Sequence, residues 1–357
     1  VPGGAGAPVG SLPMPSRRLL RRRPGNPTAG FSPSAVAGWA LVAPPVVVTT
    51  ARVTRVDRWG PVLMAEALGP LIGAPALVAL GLAAVTRRWR LAAVAAVTAG
   101  GHLAWLAADL RRAAPAAAGH PDSADDRTSP RSRFRLFSAN VLFTNTYLDG
   151  IAAEIHKADP DVVVLQEVSA PTVAGLDRAG ILDLFPHRWL APRPDPLGTA
   201  ILSRLPLEAA DSWKVDGVTL ANRATVVVGD HRVRLYNVHT RAPFGPSGLA
   251  IWTAQLEALG DVVRSEPGPL VLVGDFNAAC GHRPFRSLLA AGVRDAHLAR
   301  RRWWVTTWPS DMRLAPPFAR IDHVLVSPHV VVLDVGEGVG EGSDHRPVFA
   351  DLAVVGR

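Results

Sequence analysis

Cysteine is almost missing. Cys280 is the only one in 357 residues, which excludes an intrachain disulfide and any cysteine-rich zinc site. Charge is scarce as well: 19% of the residues are Asp, Glu, Lys or Arg, against about a quarter in an average soluble domain. Hydrophobic residues make up 48% and mean hydropathy is positive, a balance that places part of the chain in lipid. The N-terminal part lacks acids in particular. Residues 1–130 carry 14 Lys and Arg against 6 Asp and Glu, whereas residues 131–357 carry 24 of each. The whole excess of +8 therefore lies before residue 131. The neutral remainder has no global electrostatic footprint of a non-specific nucleic-acid binder, and no stable nucleic-acid partner is inferred.

Residues 1–30 are rich in Gly, Pro and Arg, without apolar periodicity, and read as a disordered basic tail. Residues 31–110 hold three apolar stretches, Phe31–Thr50, Pro61–Val85 and Leu91–Ala108. Each is near the ~20 residues that cross a bilayer, so the segment reads as a membrane anchor of about three transmembrane helices. Pro44 and Pro45 in the first stretch, and Glu66, Pro70 and Pro75 in the second, predict kinks, with the first as the re-entrant candidate. The Arg-rich tail and Arg87, Arg88 and Arg90 outweigh Arg52, Arg55, Arg58, Arg111 and Arg112. That imbalance predicts a multi-pass membrane protein with a cytoplasmic N-terminus and an extracytoplasmic C-terminal domain. Residues 111–130 read as a flexible linker.

Residues 131–357 alternate short β-rich runs with helical patterns. Strands are expected at Phe134–Val141, Asp161–Gln166, Thr199–Ser203, Ala224–Val228, Val233–Val238, Leu270–Val273, Ile321–Val326 and Val348–Val354, and helices at Tyr147–Ala158, Gly248–Arg264 and Pro284–Ala291. Polar residues recur where those strands end. Asn140, Glu167, His239, and Asp275 with Asn277 each follow an apolar run, while Asp322 and Asp344-His345 stand beside two late ones. Any one of them could simply cap a turn. Together, carboxylates, Asn and His held at strand ends are what hydrolysis of a phosphate ester with a hard cation needs.

The ordered set Ser138-Ala139-Asn140-Val141, Gln166-Glu167, Asn237-Val238-His239-Thr240, Gly274-Asp275-Phe276-Asn277, Arg320-Ile321-Asp322-His323 and Ser343-Asp344-His345-Arg346-Pro347 resembles the endonuclease/exonuclease/phosphatase superfamily. The resemblance implies an α+β fold, a four-layer α/β/β/α sandwich with the site at one edge, over residues 131–357. It implies Mg²⁺, with Mn²⁺ able to substitute, held by Glu167 with Asn140 and Asp344 as direct or water-mediated ligands. His345 resembles the family's active-site histidine paired with an aspartate, here Asp322. It would serve as general base or as phosphate-stabilising cation, with Asp275 as the rival for the water's proton. Asn277 would donate to the phosphorus centre and His239 would be a second phosphate contact. One departure stands out: Leu142 occupies the place where some members carry a further aspartate.

Weaker features complete the reading. Arg223 is a possible substrate contact set against an ordinary surface arginine, and Cys280 reads as an inert thiol. Trp303, Trp304 and Trp308 follow Arg300–Arg302 and suit base stacking or headgroup contact, against plain burial. The sequence thus predicts a metal-dependent phosphodiesterase or phosphatase whose substrate is a lipid headgroup, a small ester or nucleic acid. The competing readings are an extracytoplasmic nuclease and a non-catalytic membrane-tethered receptor or scaffold.

Overall fold

The computed structural model describes residues 32–56, 60–113, 132–215, 218–245, 247–312 and 316–355. The basic tail expected at residues 1–30 lies outside them, as does all of the expected linker except Arg111–Ala113, which ends a helix.

The N-terminal segment forms α1 (Pro33–Thr54), α2 (Gly60–Ala67), a 3₁₀ turn (Gly69–Gly73), α3 (Ala74–Val85) and α4 (Trp89–Ala113). Helix α1 starts on Ser32, whose Oγ accepts from the Ala35 amide at 3.4 Å, and Pro33 suits a first turn because its missing N–H would have no partner there. By length and composition α1 and α4 can each cross a membrane, whereas α2 and Leu71–Val85 qualify only jointly and are bent by 100°. The expected re-entrant course of the first stretch is not found: α1 runs unbroken through Pro44 and Pro45. The break falls in the second stretch, where Gly69 takes a left-handed conformation at φ 57°. Helices α1, α3 and α4 pack through Val42, Ala76, Ala79, Ala83, Leu91, Ala95 and Ala99, small side chains at helical spacing that let the backbones approach closely. Arg88 donates to Ser32 Oγ, so the α3–α4 turn sits at the same end of this bundle as the start of α1.

Beyond residue 131 the chain builds two six-stranded sheets. The first joins β1 (Arg133–Asn140), β2 (Val162–Gln166), β3 (His187–Ala191), β4 (Thr199–Ser203), β11 (Val330–Glu337) and β12 (Val348–Val354) in the order β11-β12-β1-β2-β4-β3. The second joins β5 (Leu207–Val215), β6 (Val218–Val228), β7 (His231–His239), β8 (Leu270–Asp275), β9 (Arg294–Asp295) and β10 (Asp322–Val326) in the order β5-β6-β7-β8-β10-β9. Only β1 with β2 and β7 with β8 are parallel among the described pairs. Strand periodicity decides which side chain faces which layer. Phe134, Leu136, Val162, Val164, Val271 and Val273 meet between the sheets, while their neighbours Phe137, Val163 and Leu272 face outward.

Helices cover the outward faces. The first sheet carries α5 (Asp149–Ala158) and α6 (Ala170–Arg178); the second carries α7 (Gly248–Ser265) and α8 (Arg283–Ala290). A single turn, α9 (Ala296–Ala299), lies near α4, β10 and β11. The result is the α/β/β/α sandwich, with the N-terminal helices lying against it. Leu63 of α2 is buried in the same cluster as Trp252, Phe276 and Phe285.

Candidate active site

Strand register gathers the chemistry at one edge. Asn140 pairs with Gln166 at the ends of β1 and β2, and Asp275 on β8 is flanked by His239 on β7 and Asp322 on β10. Fully buried strands fix these ends rigidly, and the two sheets are tied beneath the site. Gln166 Nε2 donates to Asn237 Oδ1 at 2.6 Å, while Asn237 Nδ2 donates to the Leu165 and Ala200 carbonyls, each at 2.9 Å. In the sequence Gln166 and Asn237 are only neighbours of the motif residues, because a buried amide bridging two sheets carries no local signature.

The backbone is bent sharply where the strands stop. Glu167 and Asn277 sit in the left-handed region at φ 61° and φ 45°, a conformation usually kept where position matters more than local stability. Gly274, at φ 133°, has room for no side chain, since a Cβ there would overlap the Val238 carbonyl oxygen.

The side chains form one network. Asn140 Nδ2 donates to Glu167 Oε1 at 2.9 Å and to Asp275 Oδ2 at 3.2 Å, and the Phe143 amide donates to Glu167 Oε2 at 2.9 Å. His239 Nε2 stands 3.7 Å from Asp275 Oδ2 and 3.9 Å from Glu167 Oε1. The Asn277 amide donates to Asp275 Oδ1 at 2.8 Å, and its side chain donates to the Thr240 carbonyl at 2.9 Å. His345 Nδ1 donates to Asp322 Oδ2 at 2.9 Å, which fixes the ring and turns Nε2 toward Asp275 Oδ2 and Asp344 Oδ1, both 3.9 Å away. Trp308 Nε1 donates to Asp344 Oδ2 at 3.0 Å, and the Thr307 hydroxyl accepts from the Asp322 amide at 3.3 Å. Trp308, half-buried, therefore orients an acid. Trp304, by contrast, is mostly exposed.

Two protonation states are displaced in ways that suit this layout. Burial, with Asp322 nearby, lifts Asp275 to about 6 despite the pull of His345 and His239. Burial alone would lower His345, but Asp322 and Asp275 outweigh it and raise the imidazole to about 10. At neutral pH the site pairs an ionised Asp275 with an imidazolium at His345.

Oxygen donors for a hard cation are available. Asn140 Oδ1 accepts from the Leu142 amide at 3.0 Å, Glu167 takes one bond on each oxygen, and Asp344 takes its bond on Oδ2. An oxygen that accepts one hydrogen bond keeps a second lone pair, so this set fits a cation that retains several waters. A different trio, Asp275, Asp322 and His345, offers atoms within 4.8 Å of one another. There, however, the histidine nitrogen nearest a carboxylate is already committed to Asp322.

These groups open onto a cavity of about 530 Å³ whose lining includes Glu167, His239, Asp275, Asn277, Asp344 and His345. Asn140 and Asp322 support it from behind. Arg223 stands apart: its guanidinium is held by Asp211 at 2.7 and 3.0 Å, and it does not line the cavity.

Residues 137–345 match the sequence model of the endonuclease/exonuclease/phosphatase family. Among solved structures, D. rerio TDP2 complexed with single-strand DNA product is 19% identical, covering 62% of this chain and 100% of that one with TM-score 0.53. Humanized D. rerio TDP2 is 18% identical over the same shares, with TM-score 0.52. The 3' phosphatase NExo from Neisseria, bound to a product DNA hairpin, is 24% identical over 61% of this chain and 98% of that one, with TM-score 0.47. At these identities the likeness is one of fold. No curated protein matches the chain.

Proposed function

Because the chain belongs to the endonuclease/exonuclease/phosphatase family, we propose that it hydrolyses phosphate esters with a divalent cation, Mg²⁺ or Mn²⁺, held by Glu167, Asn140 and Asp344. One observation carries the reading. Groups from five strands and the Asp344-His345 turn, spread over some two hundred residues of chain, meet around one cavity with an ionised acid facing a cation. A bound Mg²⁺ would neutralise charge on the phosphoryl oxygens.

Water attacks phosphorus as its proton passes to the Asp275 carboxylate, a new P–O bond forms, and the bond to the leaving alcohol breaks with its electron pair going to the departing oxygen. That oxygen then takes a proton from solvent. Asp275 suits the base role because it is ionised at neutral pH yet raised to about 6, a useful proton affinity. His345, raised to about 10, is protonated under the same conditions and acts as a fixed positive charge on the phosphoryl group. Asn277 and His239 border the same space and serve as further donors to the phosphoryl oxygens. Leu142 leaves one acid fewer than some members of the family carry, which argues against tight binding of two cations.

The helical arrangement supports a membrane anchor with its N-terminus in the cytoplasm. The α3–α4 turn, with Arg87, Arg88 and Arg90, lies at the Ser32 end, and the sandwich lies at the opposite end, beside Arg52 and Asp109. With α1, α4 and the bent α2–α3 pair as crossings, this reading puts the catalytic part outside the cytoplasm.

The test is hydrolysis of bis(p-nitrophenyl) phosphate by the full chain with and without Mg²⁺ or Mn²⁺. Asp275→Ala and His345→Ala should each lower kcat by at least about 10²-fold while leaving the circular dichroism spectrum intact. Near-wild-type turnover in either variant refutes the assignment. A folded wild type that binds substrate but turns none over would favour the receptor reading.

A further inference from the structure

The cavity wall facing the catalytic residues does not come from the sandwich. Leu63, Met64 and Ala67 of α2, inside the membrane-anchor segment, line the same space as His239, Asp275 and His345. This placement is built. Leu63 is 3% exposed and packs into the core of the second sheet's outer layer. Its carbonyl accepts from His282 Nε2 at 2.9 Å, while His282 Nδ1 accepts from the Ala279 amide at 3.0 Å, so one neutral tautomer satisfies both bonds. Gly281 lets the two backbones touch, since a Cβ there would overlap the Glu66 carbonyl oxygen.

We infer that α2 is a specificity-determining part of the active site and that it selects phosphate esters carrying an apolar chain, presented from the bilayer surface. The inference rests on the hydrolytic reading above. Helix α2 lies at the end of the bundle nearest the sandwich and turns 100° into the helix that follows it. It thus crosses from the apolar bundle to the phosphate-handling residues. The far rim is apolar too, with Phe244 and Ile321 facing the space. Cations are few among the described lining residues: Arg241 is the one arginine there, and there is no lysine. A polyanionic strand would need several phosphate-neutralising cations along its path. An ester with one charged centre and a hydrocarbon tail matches a single cluster of donors backed by Leu63, Met64 and Phe244.

The experiment uses the full chain in lipid nanodiscs with Mg²⁺ and two chromogenic diesters that share the reacting centre, p-nitrophenyl methyl phosphate and p-nitrophenyl octyl phosphate. A single-stranded DNA oligonucleotide is the third substrate. The octyl ester should be preferred by at least about thirtyfold in kcat/KM, expressed chiefly in KM. Met64→Asn, which makes the wall polar, and Gly281→Ala, which pushes α2 off its seat, should each cut the octyl-to-methyl ratio at least about fivefold. Because the readout is a ratio, a variant with less folded protein still reports. Equal kcat/KM for the two esters, an unchanged ratio in both variants, or faster cleavage of DNA than of either ester overturns the inference and leaves the hydrolytic reading standing. Failure of the wild type on all three substrates removes both.

Discussion

Asp322→Asn separates charge from orientation at His345. The amide can still accept from Nδ1–H, so the ring stays in place while one negative charge disappears. Opposite unit charges 2.9 Å apart attract by about 6 kcal/mol at an effective dielectric near 20. The rise of His345 from 6.5 to about 10 is equivalent to about 5 kcal/mol. One carboxylate is therefore large enough to carry most of the rise, even with burial pulling the other way. Without it, Asp275 and Asp344, each 3.9 Å from Nε2, are left against burial, and the imidazole should titrate about 3 units lower. Titrating the His345 ring by NMR in chelator-treated protein measures this directly, free of any bound cation. In the same variant, kcat at about pH 8.5 should fall at least tenfold while kcat at about pH 6 falls much less. Stability follows the same sign. A raised histidine stabilises the fold fully below about 6.5, and that contribution is lost as pH rises through about 10, so the gap between wild type and variant should close above that point. A His345 pKa that stays near 10 in the variant would refute the reasoning and assign the rise to other groups.

Two further outcomes follow from the packing around the site. Burial pushes the Cys280 thiol up to about 12, with Arg320 only partly offsetting it. Iodoacetamide at about pH 8 should then modify it about 10³-fold more slowly in the native protein than after denaturation, and equal rates would contradict the placement. Gly274→Ala forces a side chain into a φ of 133° and against the Val238 carbonyl. A loss of about 3 kcal/mol or more, seen as a lower Tm in detergent, is expected, and an unchanged Tm would show that the strand end can give way.

How much of this was legible in the sequence depended on burial. The central strands β2, β4, β8 and β10 are buried on both faces, as is the second half of β1, and read as apolar runs, so the polar residues that end them stood out. The strands missed were β3, β5, β9 and β11, and these are the four edges of the two sheets. Edge strands carry charges and alternate toward solvent, as Leu207–Val215 does with Glu208, Asp211 and Lys214, and the pattern fades into loop. The site residues were legible by position but not by partner. Nothing local ties Trp308 to Asp344 or Arg223 to Asp211. Least legible was the docking of α2, because Leu63 and Met64 belong to an apolar stretch whose simplest reading is a span.

The place of β12 has a consequence for biosynthesis. It is inserted between β11 and β1, pairing with both, and follows directly on Asp344 and His345. Until the ribosome has released these residues the first sheet is split and His345 is missing, so the apolar helices of residues 33–113 emerge long before the candidate site is complete. The edges that β12 later joins, on β1 and β11, lack their pairing partner during that interval. Completion of the first sheet and completion of the site thus depend on one and the same stretch of chain, Asp344–Val354.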